Sequence, residues 1–162
     1  MENKKIEHVS SYYAATINEA INYPVLKKDI SSEVCIVGAG FTGVNTALNL
    51  AKKGYKVVLI DSARIGWGAS GRNGGQLISG FTFSDKFERW GEDIAQSVWK
   101  LGADCTDLVR QTIEEFEIQC DLKEGFIEVA LNNSQMDELV TRKEEWERRG
   151  YQHNLTLVDQ NQ

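Results

Sequence analysis

The chain has 162 residues, of which 41% are hydrophobic and 26% charged, and its formal net charge is −6. This composition is typical of one ordinary globular domain. The negative net charge gives no indication of the basic surface that a nucleic acid partner would require. The first eight residues lack the apolar core of a secretory signal, and no apolar run approaches membrane-spanning length. We therefore expect a cytoplasmic protein with neither a nucleic acid nor a membrane partner.

Residues 1–30 precede the first predicted strand and are expected to form an N-terminal arm. The arm carries three tyrosines that can pack on the domain that follows: Tyr12, Tyr13 and Tyr23. That domain is expected to occupy residues 31–162.

A strand, a glycine-rich turn, a helix and a second strand follow one another along residues 34–61. The first strand is the apolar run at 34–37 and the second is residues 56–60, which are apolar after Lys56. The helix between them carries an apolar stripe and ends near Gly54. A nearly continuous apolar run, as in the second strand, is typical of a parallel strand covered on both faces. The pattern predicts a βαβ unit of the Rossmann-like α/β class.

The turn before the helix has the Gly-x-Gly-x-x-Gly pattern of dinucleotide-binding proteins. Gly38 permits the tight turn, Gly40 lets the backbone approach a pyrophosphate, and Gly43 lets the helix lie against the sheet. The helix N-terminus presents free N–H groups and its positive dipole end to phosphates. Asp61 follows Gly38 by 23 residues and is placed to accept hydrogen bonds from a ribose. The sequence predicts a dinucleotide site; the alternative is a turn-rich α/β protein without a ligand.

Residues 63–76 contain five glycines together with Ser70 and Asn73, which excludes a regular helix or strand. The segment is either an ordered loop wrapped on a cofactor or a solvent-exposed linker. A linker would not usually place Trp67 and Arg72 among its glycines, whereas a cofactor loop needs backbone donors, a cation and room for close approach. A nicotinamide-only fold would normally proceed directly to its next helix, so the loop favours FAD.

Helical spacing dominates residues 85–118, with Gly91 and Gly102 as candidate breaks. The apolar positions with this spacing are Phe87, Trp90, Ile94, Val98, Trp99, Leu101, Leu108, Val109, Ile113 and Phe116. The aromatic residues among them are most simply core residues.

Short strands and one further helix are predicted in the last third of the chain. Residues 120–122 and 126–131 have strand character and meet around a turn-like tripeptide. Ser134 is expected to open a helix that reaches Arg149 and is closed by Gly150. Residues 155–158 suggest a last strand, followed by Asp159 as a helix cap.

The three cysteines match no zinc or redox spacing. Cys35 lies in a predicted buried strand and Cys105 in a helix, where cysteine commonly behaves as a small apolar residue. Neither these thiols nor the two histidines, His8 and His153, have partners at ligand spacing. We assign none of them a metal or catalytic role.

Four passages carry a resemblance to a known family. They are residues 11–14 (Ser-Tyr-Tyr-Ala), the glycine fingerprint, residues 68–76 (Gly-Ala-Ser-Gly-Arg-Asn-Gly-Gly-Gln) and residues 118–123 (Ile-Gln-Cys-Asp-Leu-Lys). The chain resembles the N-terminal part of the D-amino-acid-oxidase superfamily of FAD-dependent oxidoreductases, and most closely the γ-glutamylputrescine oxidoreductases.

The resemblance implies flavin-dependent oxidation of a primary amine, such as γ-glutamylputrescine, to an aldehyde with release of ammonia and hydrogen peroxide. The cofactor performs the redox step, and the protein supplies binding, orientation and electrostatics. No catalytic residue can be assigned, and no serine-histidine-acid or metal constellation suggests another mechanism.

Cofactor-binding positions are also implied by the resemblance. Arg72 and Asn73 are candidates for groups near the flavin; the alternative is that Arg72 pairs with a carboxylate and Asn73 caps a turn. The full expected set is Gly38, Ala39, Gly40, Phe41, Thr42 and Gly43 at the pyrophosphate, Asp61 and Ser62 at the ribose, and Ser70, Gly71, Arg72, Asn73, Gly74 and Gly75 toward the ring.

Full-length members of the superfamily are well over twice as long, so an incomplete domain, a βαβ unit with additional helices and a few strands, is expected. We expect the isolated chain to be inactive and to need a complementary C-terminal polypeptide, in the same chain or in trans. The alternatives are a nucleotide-binding module without catalysis and an inactive remnant of a split gene.

Overall fold

A computed structural model describes residues 7–19, 21–79 and 84–158 of the chain. The chain divides into two compact units, Met1–Gln76 and Leu77–Gln162. None of the described helices combines the length and apolar character needed to cross a membrane. The two units contain different parts of the predicted pattern.

The first unit contains a short helix and a strand-helix-strand segment. Helix α1 is Tyr12–Ala15, strand β1 is Val34–Val37, helix α2 is Phe41–Lys52 and strand β2 is Val57–Ile60. The two strands pair in parallel, with Val34 opposite Val57 and Val37 opposite Ile60. The predicted mixed α/β architecture and the order of these elements are therefore confirmed.

Glycines flank both ends of helix α2. Gly40 is its N-cap, and Gly54 follows its end with a φ of 90°, a left-handed conformation that glycine adopts without strain. The predicted end of the helix near Gly54 is confirmed.

The side chains of the two strands are more exposed than the apolar runs in the sequence predicted. All four residues of β2 are only half-buried, and β1 alternates between half-buried and exposed residues. Cys35 and Val37 share the exposed face of β1, so the expectation that Cys35 is buried is wrong. Only a strand covered on both faces hides every side chain, and no described part of this unit covers the face that carries Cys35.

The second unit is built on a long helix, α3, which spans Glu92–Glu115 and follows a 3₁₀ turn at Ser84–Trp90. Gly91 separates the two with a φ of 107°, so this predicted break is confirmed. Gly102 does not interrupt α3. The buried face of α3 consists of Ala95, Trp99, Gly102 and Thr106.

The predicted aromatic core is only partly buried: Phe87 is half-buried, whereas Trp90 and Phe116 are exposed. Trp99 is buried, at 6% exposure, but the helical spacing that placed it there also occurs on uncovered faces. Aliphatic residues with the same spacing are exposed as well: Ile94, Leu101, Leu108 and Val109. Cys105 is likewise exposed rather than core.

Helix α4 spans Asn133–Arg148 and begins one residue before the predicted start. The cap is Asn132 rather than Ser134. The Asn132 side chain accepts a hydrogen bond from the Gln135 N–H at 3.0 Å, and the Gln135 side chain accepts one from the Leu131 N–H at 2.7 Å. These reciprocal bonds resemble a capping box and fix the start of α4. Gly150, with a φ of 80°, follows the end of the helix as predicted.

An aromatic cluster joins α3 to the end of α4. The Trp99 ring lies 5.4 Å from Trp146, which lies 4.8 Å from Tyr151. Arg149, whose side chain is only 7% exposed, pairs with Glu145 at 3.0 Å and also with Glu88. The cluster and this ion-pair group form the core of the second unit.

Replacing Arg149 with methionine should lower the free energy of unfolding of this unit by about 1–2 kcal/mol. Methionine keeps the apolar stem but removes the ion pairs, whose carboxylates stay accessible to water, so the loss is smaller than for a fully buried pair. Denaturation in urea measures this loss, with Arg148→Met at the neighbouring position, the last residue of α4, as control. An equal loss in both variants would contradict the role of Arg149.

The predicted strands at 120–122, 126–131 and 155–158 are wrong, since none of these residues lies in a strand. A strand requires a neighbour that receives its backbone hydrogen bonds, and the described part of the second unit contains none. Ile127, Val129 and Leu131 are 82%, 72% and 84% exposed. Asp159, the predicted cap, lies outside the described residues.

Candidate functional site

The glycine turn connects β1 to α2 at the end of the parallel sheet. Gly38 has a φ of 104°, and its N–H donates to the Ile60 carbonyl at 2.8 Å, which extends the pairing of the two strands into the turn. Ala39 is 3% exposed. Its carbonyl accepts a hydrogen bond from the Gly66 N–H at 2.9 Å. The turn is therefore held by both β2 and the loop beyond it.

Gly43 is where α2 lies directly on the turn. A Cβ atom at Gly43 would overlap the carbonyl oxygen of Gly38 and lie 3.0 Å from its carbonyl carbon. The next neighbour is the Ile36 side chain of β1, 3.5 Å away. Only glycine fits here, in agreement with the expected packing of the helix against the sheet.

Asp61 follows β2 and reaches back to the turn. Its carboxylate accepts hydrogen bonds from the Ala39 N–H at 2.7 Å and from the Ala63 N–H at 2.8 Å. The Ala39 bond is the main cause that lowers the pKa of Asp61 below its usual 3.8, followed by the bonds from Ala63 and, more weakly, Ser62. The carboxylate is thus held ionised beside the glycine turn.

The lowered pKa of Asp61 predicts a pH dependence. The carboxylate bonds stabilise the fold fully above the unfolded pKa, near 3.8, and this stabilisation disappears as the pH falls through the folded value. A titration of the Asp61 carboxyl carbon by NMR should therefore give a midpoint below 3.8. A midpoint at or above that of an unstructured peptide would contradict the bonds to Ala39 and Ala63.

Ser70 caps α2 from a distant part of the sequence. The Phe41 N–H at the start of the helix donates to Ser70 Oγ at 2.9 Å, and Gly40 provides no side-chain cap of its own. A Cβ at Gly40 would lie 2.8 Å from the same hydroxyl. The structure therefore brings the predicted loop residue Ser70 onto the predicted phosphate-binding helix end.

The rest of the loop is ordered by local contacts. A Cβ at Gly71 would overlap the Gly66 carbonyl oxygen, so the loop folds back on itself there. The Arg72 Nε–H donates to the Trp67 carbonyl at 2.9 Å, and its guanidinium carbon lies 4.4 Å from the centre of the Trp67 ring. Arg72 thus stacks on an aromatic ring, where the alternative interpretation expected a carboxylate.

Asn73 closes a turn. Its side-chain amide donates to the Ser70 carbonyl at 2.7 Å, and its side-chain oxygen accepts from the Gly75 N–H at 2.7 Å. This geometry matches the predicted alternative, an asparagine that caps a turn. Arg72, Asn73, Gly74 and Gly75 are exposed.

The remaining predicted positions lie around the same turn. Thr42 is exposed in the first turn of α2, where backbone N–H groups have no partner within the helix. Ser62 is exposed next to Asp61. The predicted residues thus surround one helix N-terminus, with Asp61 on one side and the loop on the other.

This arrangement fits a dinucleotide. The positive end of α2 offers the N–H groups of Thr42 and Gly43, and an ionised carboxylate follows β2. The Phe41 N–H is bound to Ser70 Oγ, which lies against Gly40. Among the described residues, no group of three or more histidine, cysteine or acidic side chains could hold a metal ion.

Contacts from the N-terminal arm were only partly predicted. Of the three arm tyrosines, Tyr13 contacts Gly75 although it is itself 41% exposed, and Tyr12 and Tyr23 are 74% and 64% exposed. The pairing of Glu7 with Arg64, at 2.5 Å, had no signal in the sequence beyond opposite charge.

Comparison with known proteins gives the family. The model of the DAO family, FAD-dependent oxidoreductases, matches residues 33–162. No solved structure gave a significant match.

Two curated relatives match almost the whole chain. The probable oxidoreductase OrdL of Haemophilus influenzae is 42% identical over 94% of the chain and 36% of its own length. The γ-glutamylputrescine oxidoreductase of Escherichia coli is 41% identical over 96% of the chain and 37% of its own length. A probable oxidoreductase OrdL of Rhizobium meliloti is 37% identical, over 74% of the chain and 28% of its own length.

The chain thus spans just over a third of the length of the two relatives that it matches almost throughout. Both the match to residues 33–162 and the fit of the glycine turn to a dinucleotide agree with the resemblance predicted from the sequence. The chain belongs to the DAO family of FAD-dependent oxidoreductases, and the cofactor that this membership implies is FAD.

Proposed function

We propose that this chain is the FAD-binding portion of a flavin-dependent amine oxidase that acts on γ-glutamylputrescine or a related primary amine. The observation that carries the proposal is the glycine turn, where Gly43 packs on Gly38 and Asp61 binds the Ala39 N–H. The 41% identity to a γ-glutamylputrescine oxidoreductase over 96% of the chain supports the substrate class.

In this proposal, residues 31–162 form the N-terminal part of a Rossmann-like FAD-dependent oxidoreductase domain, and residues 1–30 form an arm. The first-turn N–H groups of α2 bind the pyrophosphate, and Asp61 accepts hydrogen bonds from the adenosine ribose. Residues 70–75 lie along the middle of the cofactor, with Arg72 and Asn73 nearest the ring.

When bound, FAD would accept the hydride equivalent that leaves the amine carbon; water would hydrolyse the resulting imine to an aldehyde and ammonia, and dioxygen would take up the two electrons to give hydrogen peroxide. The site residues of this chain bind and orient; they include no acid or base that we assign to the chemistry. We propose that a complementary C-terminal polypeptide, corresponding to the rest of the relatives' length, provides the substrate-binding groups.

Retention of FAD tests the binding role. The purified 162-residue chain, incubated with FAD and desalted, should keep the visible absorption bands of the flavin. A colourless protein would contradict the proposal and favour an inactive remnant of a split gene.

An assay for hydrogen peroxide tests whether this chain binds FAD while a complementary polypeptide is needed for activity. The chain alone should bind FAD without producing peroxide from γ-glutamylputrescine, and activity should require the complementary polypeptide. Peroxide production by the chain alone would contradict the need for a partner. Retained FAD without activity in the presence of that polypeptide would favour a nucleotide-binding module without catalysis.

A further inference from the structure

The N-terminal arm is fastened to the loop at residues 63–76 through Glu7 and Asn22. The Glu7 carboxylate pairs with the Arg64 guanidinium at 2.5 Å, and the Glu7 carbonyl accepts a hydrogen bond from the Trp67 indole N–H at 2.9 Å. Asn22 Oδ1 accepts a second bond from Arg64 at 2.8 Å. Two residues of the arm thus hold two residues at the start of the loop.

Tyr13 fastens the other end of the same loop. A Cβ at Gly75 would overlap the Tyr13 hydroxyl and lie 3.1 Å from the ring carbon that bears it. The tyrosine therefore rests on the bare backbone of Gly75, which has a φ of 66°. The contacts to Arg64, Trp67 and Gly75 bracket the glycine-rich part of the loop.

Trp67 connects the arm to a predicted cofactor residue. Its indole N–H is bound by the arm, while its ring and its carbonyl group hold the Arg72 guanidinium. The orientation of Arg72 therefore depends on Trp67, and the orientation of Trp67 depends on the arm.

We propose that Glu7, Tyr13 and Asn22 form a strap that orders the loop at residues 63–76 before FAD binds, and that Trp67 is the positioning residue through which the strap orients Arg72. This inference rests on the proposed function. A loop with five glycines loses much conformational freedom when it is ordered. If the strap orders the loop in the free protein, the conformational entropy of the loop is already lost before FAD binds, and the binding free energy does not have to offset that loss.

Amide hydrogen exchange on the full chain without FAD tests the strap directly. The double variant Glu7→Gln/Tyr13→Ala should exchange about tenfold faster at residues 64–75 than the wild type. The control Tyr23→Ala, which removes an exposed tyrosine of the same arm, should match the wild type. Unchanged exchange in the double variant would overturn the strap.

FAD affinity, measured by flavin fluorescence, tests the consequence. The double variant should bind FAD about tenfold more weakly than the wild type, and Tyr23→Ala should bind it equally well. Equal affinity of the double variant would overturn the coupling of strap and cofactor. If the wild type binds no FAD, the proposed function fails, while hydrogen exchange still decides whether the strap exists.

A mutant cycle tests the positioning role of Trp67. Trp67→Ala should weaken FAD binding by about tenfold, and Trp67→Phe, which keeps a ring for Arg72, should restore part of the loss. In an Arg72→Ala background, Trp67→Ala should cost little more, because Trp67 acts through Arg72. If the losses of FAD affinity from Trp67→Ala and Arg72→Ala are additive, this role is overturned. Additive losses would mean that Trp67→Ala destabilises the protein in general, an effect that does not require Arg72.

The contact between Tyr13 and Gly75 has its own control. Gly75→Ala should speed exchange of the loop in the wild type and have a smaller effect in Tyr13→Ala, where the clash is gone. Gly74→Ala should have little effect in either, because its nearest neighbours, atoms of Gln76, are 3.9 Å away or more. Equal effects of Gly75→Ala in both backgrounds would overturn the contact.

Discussion

Replacing Gly43 with alanine is expected to destabilise the first unit by about 3 kcal/mol and to abolish FAD retention. The added methyl group would overlap the carbonyl oxygen of Gly38, which is backbone and cannot rotate away. Forcing a methyl group into a closely packed site costs about 1–3 kcal/mol, and more when the backbone must move. Because the shift would separate α2 from the turn, the helix N–H groups would no longer lie where we propose that they bind the pyrophosphate. Urea denaturation and the absorption spectrum after desalting measure the two effects.

Gly68→Ala is the matched control. Gly68 lies in the same unit with a φ of −78°, and a Cβ there has no neighbour within 4 Å. It should change the free energy of unfolding by less than about 0.5 kcal/mol. If Gly43→Ala is as stable as Gly68→Ala and retains FAD, the close packing of α2 on the turn is wrong.

Replacing Asp61 with alanine is expected to weaken FAD binding by about 1–3 kcal/mol, measured by flavin fluorescence. The variant loses the ionised acceptor proposed for the ribose, and hydrogen bonds to charged groups are worth about 1.5–3 kcal/mol. It also leaves the Ala39 N–H, in a residue 3% exposed, without its acceptor. Asp61→Asn keeps one oxygen and should fall between the wild type and Asp61→Ala.

Glu33 offers a control at the opposite end of the same sheet. Its carboxylate accepts a hydrogen bond from the Lys56 N–H at 2.7 Å, a contact of the same kind as that of Asp61 with Ala39. Glu33→Ala should leave FAD affinity unchanged. Equal affinities for FAD in the wild type and Asp61→Ala would remove Asp61 from the cofactor site.

The glycine turn could be predicted because its requirements are local. Gly38, Gly43 and Asp61 lie within one strand-helix-strand unit, and each position is fixed by turn geometry or close packing. The parallel pairing of β1 and β2 followed from the same pattern. The roles of these residues toward FAD remain predictions.

The predicted core failed for a different reason. Periodicity shows which residues share a helix face, but not which face another element covers. Trp99 and Leu101 fit the same helical pattern, yet Trp99 packs on Trp146 while Leu101 is exposed. The predicted strands at 120–131 failed similarly, because strand character in a sequence does not supply a pairing neighbour.

Contacts between distant residues left the weakest signal in the sequence. Ser70 was predicted as a cofactor residue, but its bond to the Phe41 N–H spans 29 positions and no motif specifies it. The same holds for the strap, where Glu7 reaches Trp67 across 60 positions. Such contacts depend on how the whole unit folds.

The exposed apolar side chains of residues 126–131 affect how this protein must be handled. An exposed segment of high β-propensity and branched apolar side chains is a template for pairing between copies, the first step of aggregation. Glu128, held by Arg142, places a carboxylate among Ile127, Val129 and Leu131 and opposes the stacking of identical chains. Replacing Glu128 with a neutral residue would therefore shorten the time for which a concentrated sample stays free of aggregates.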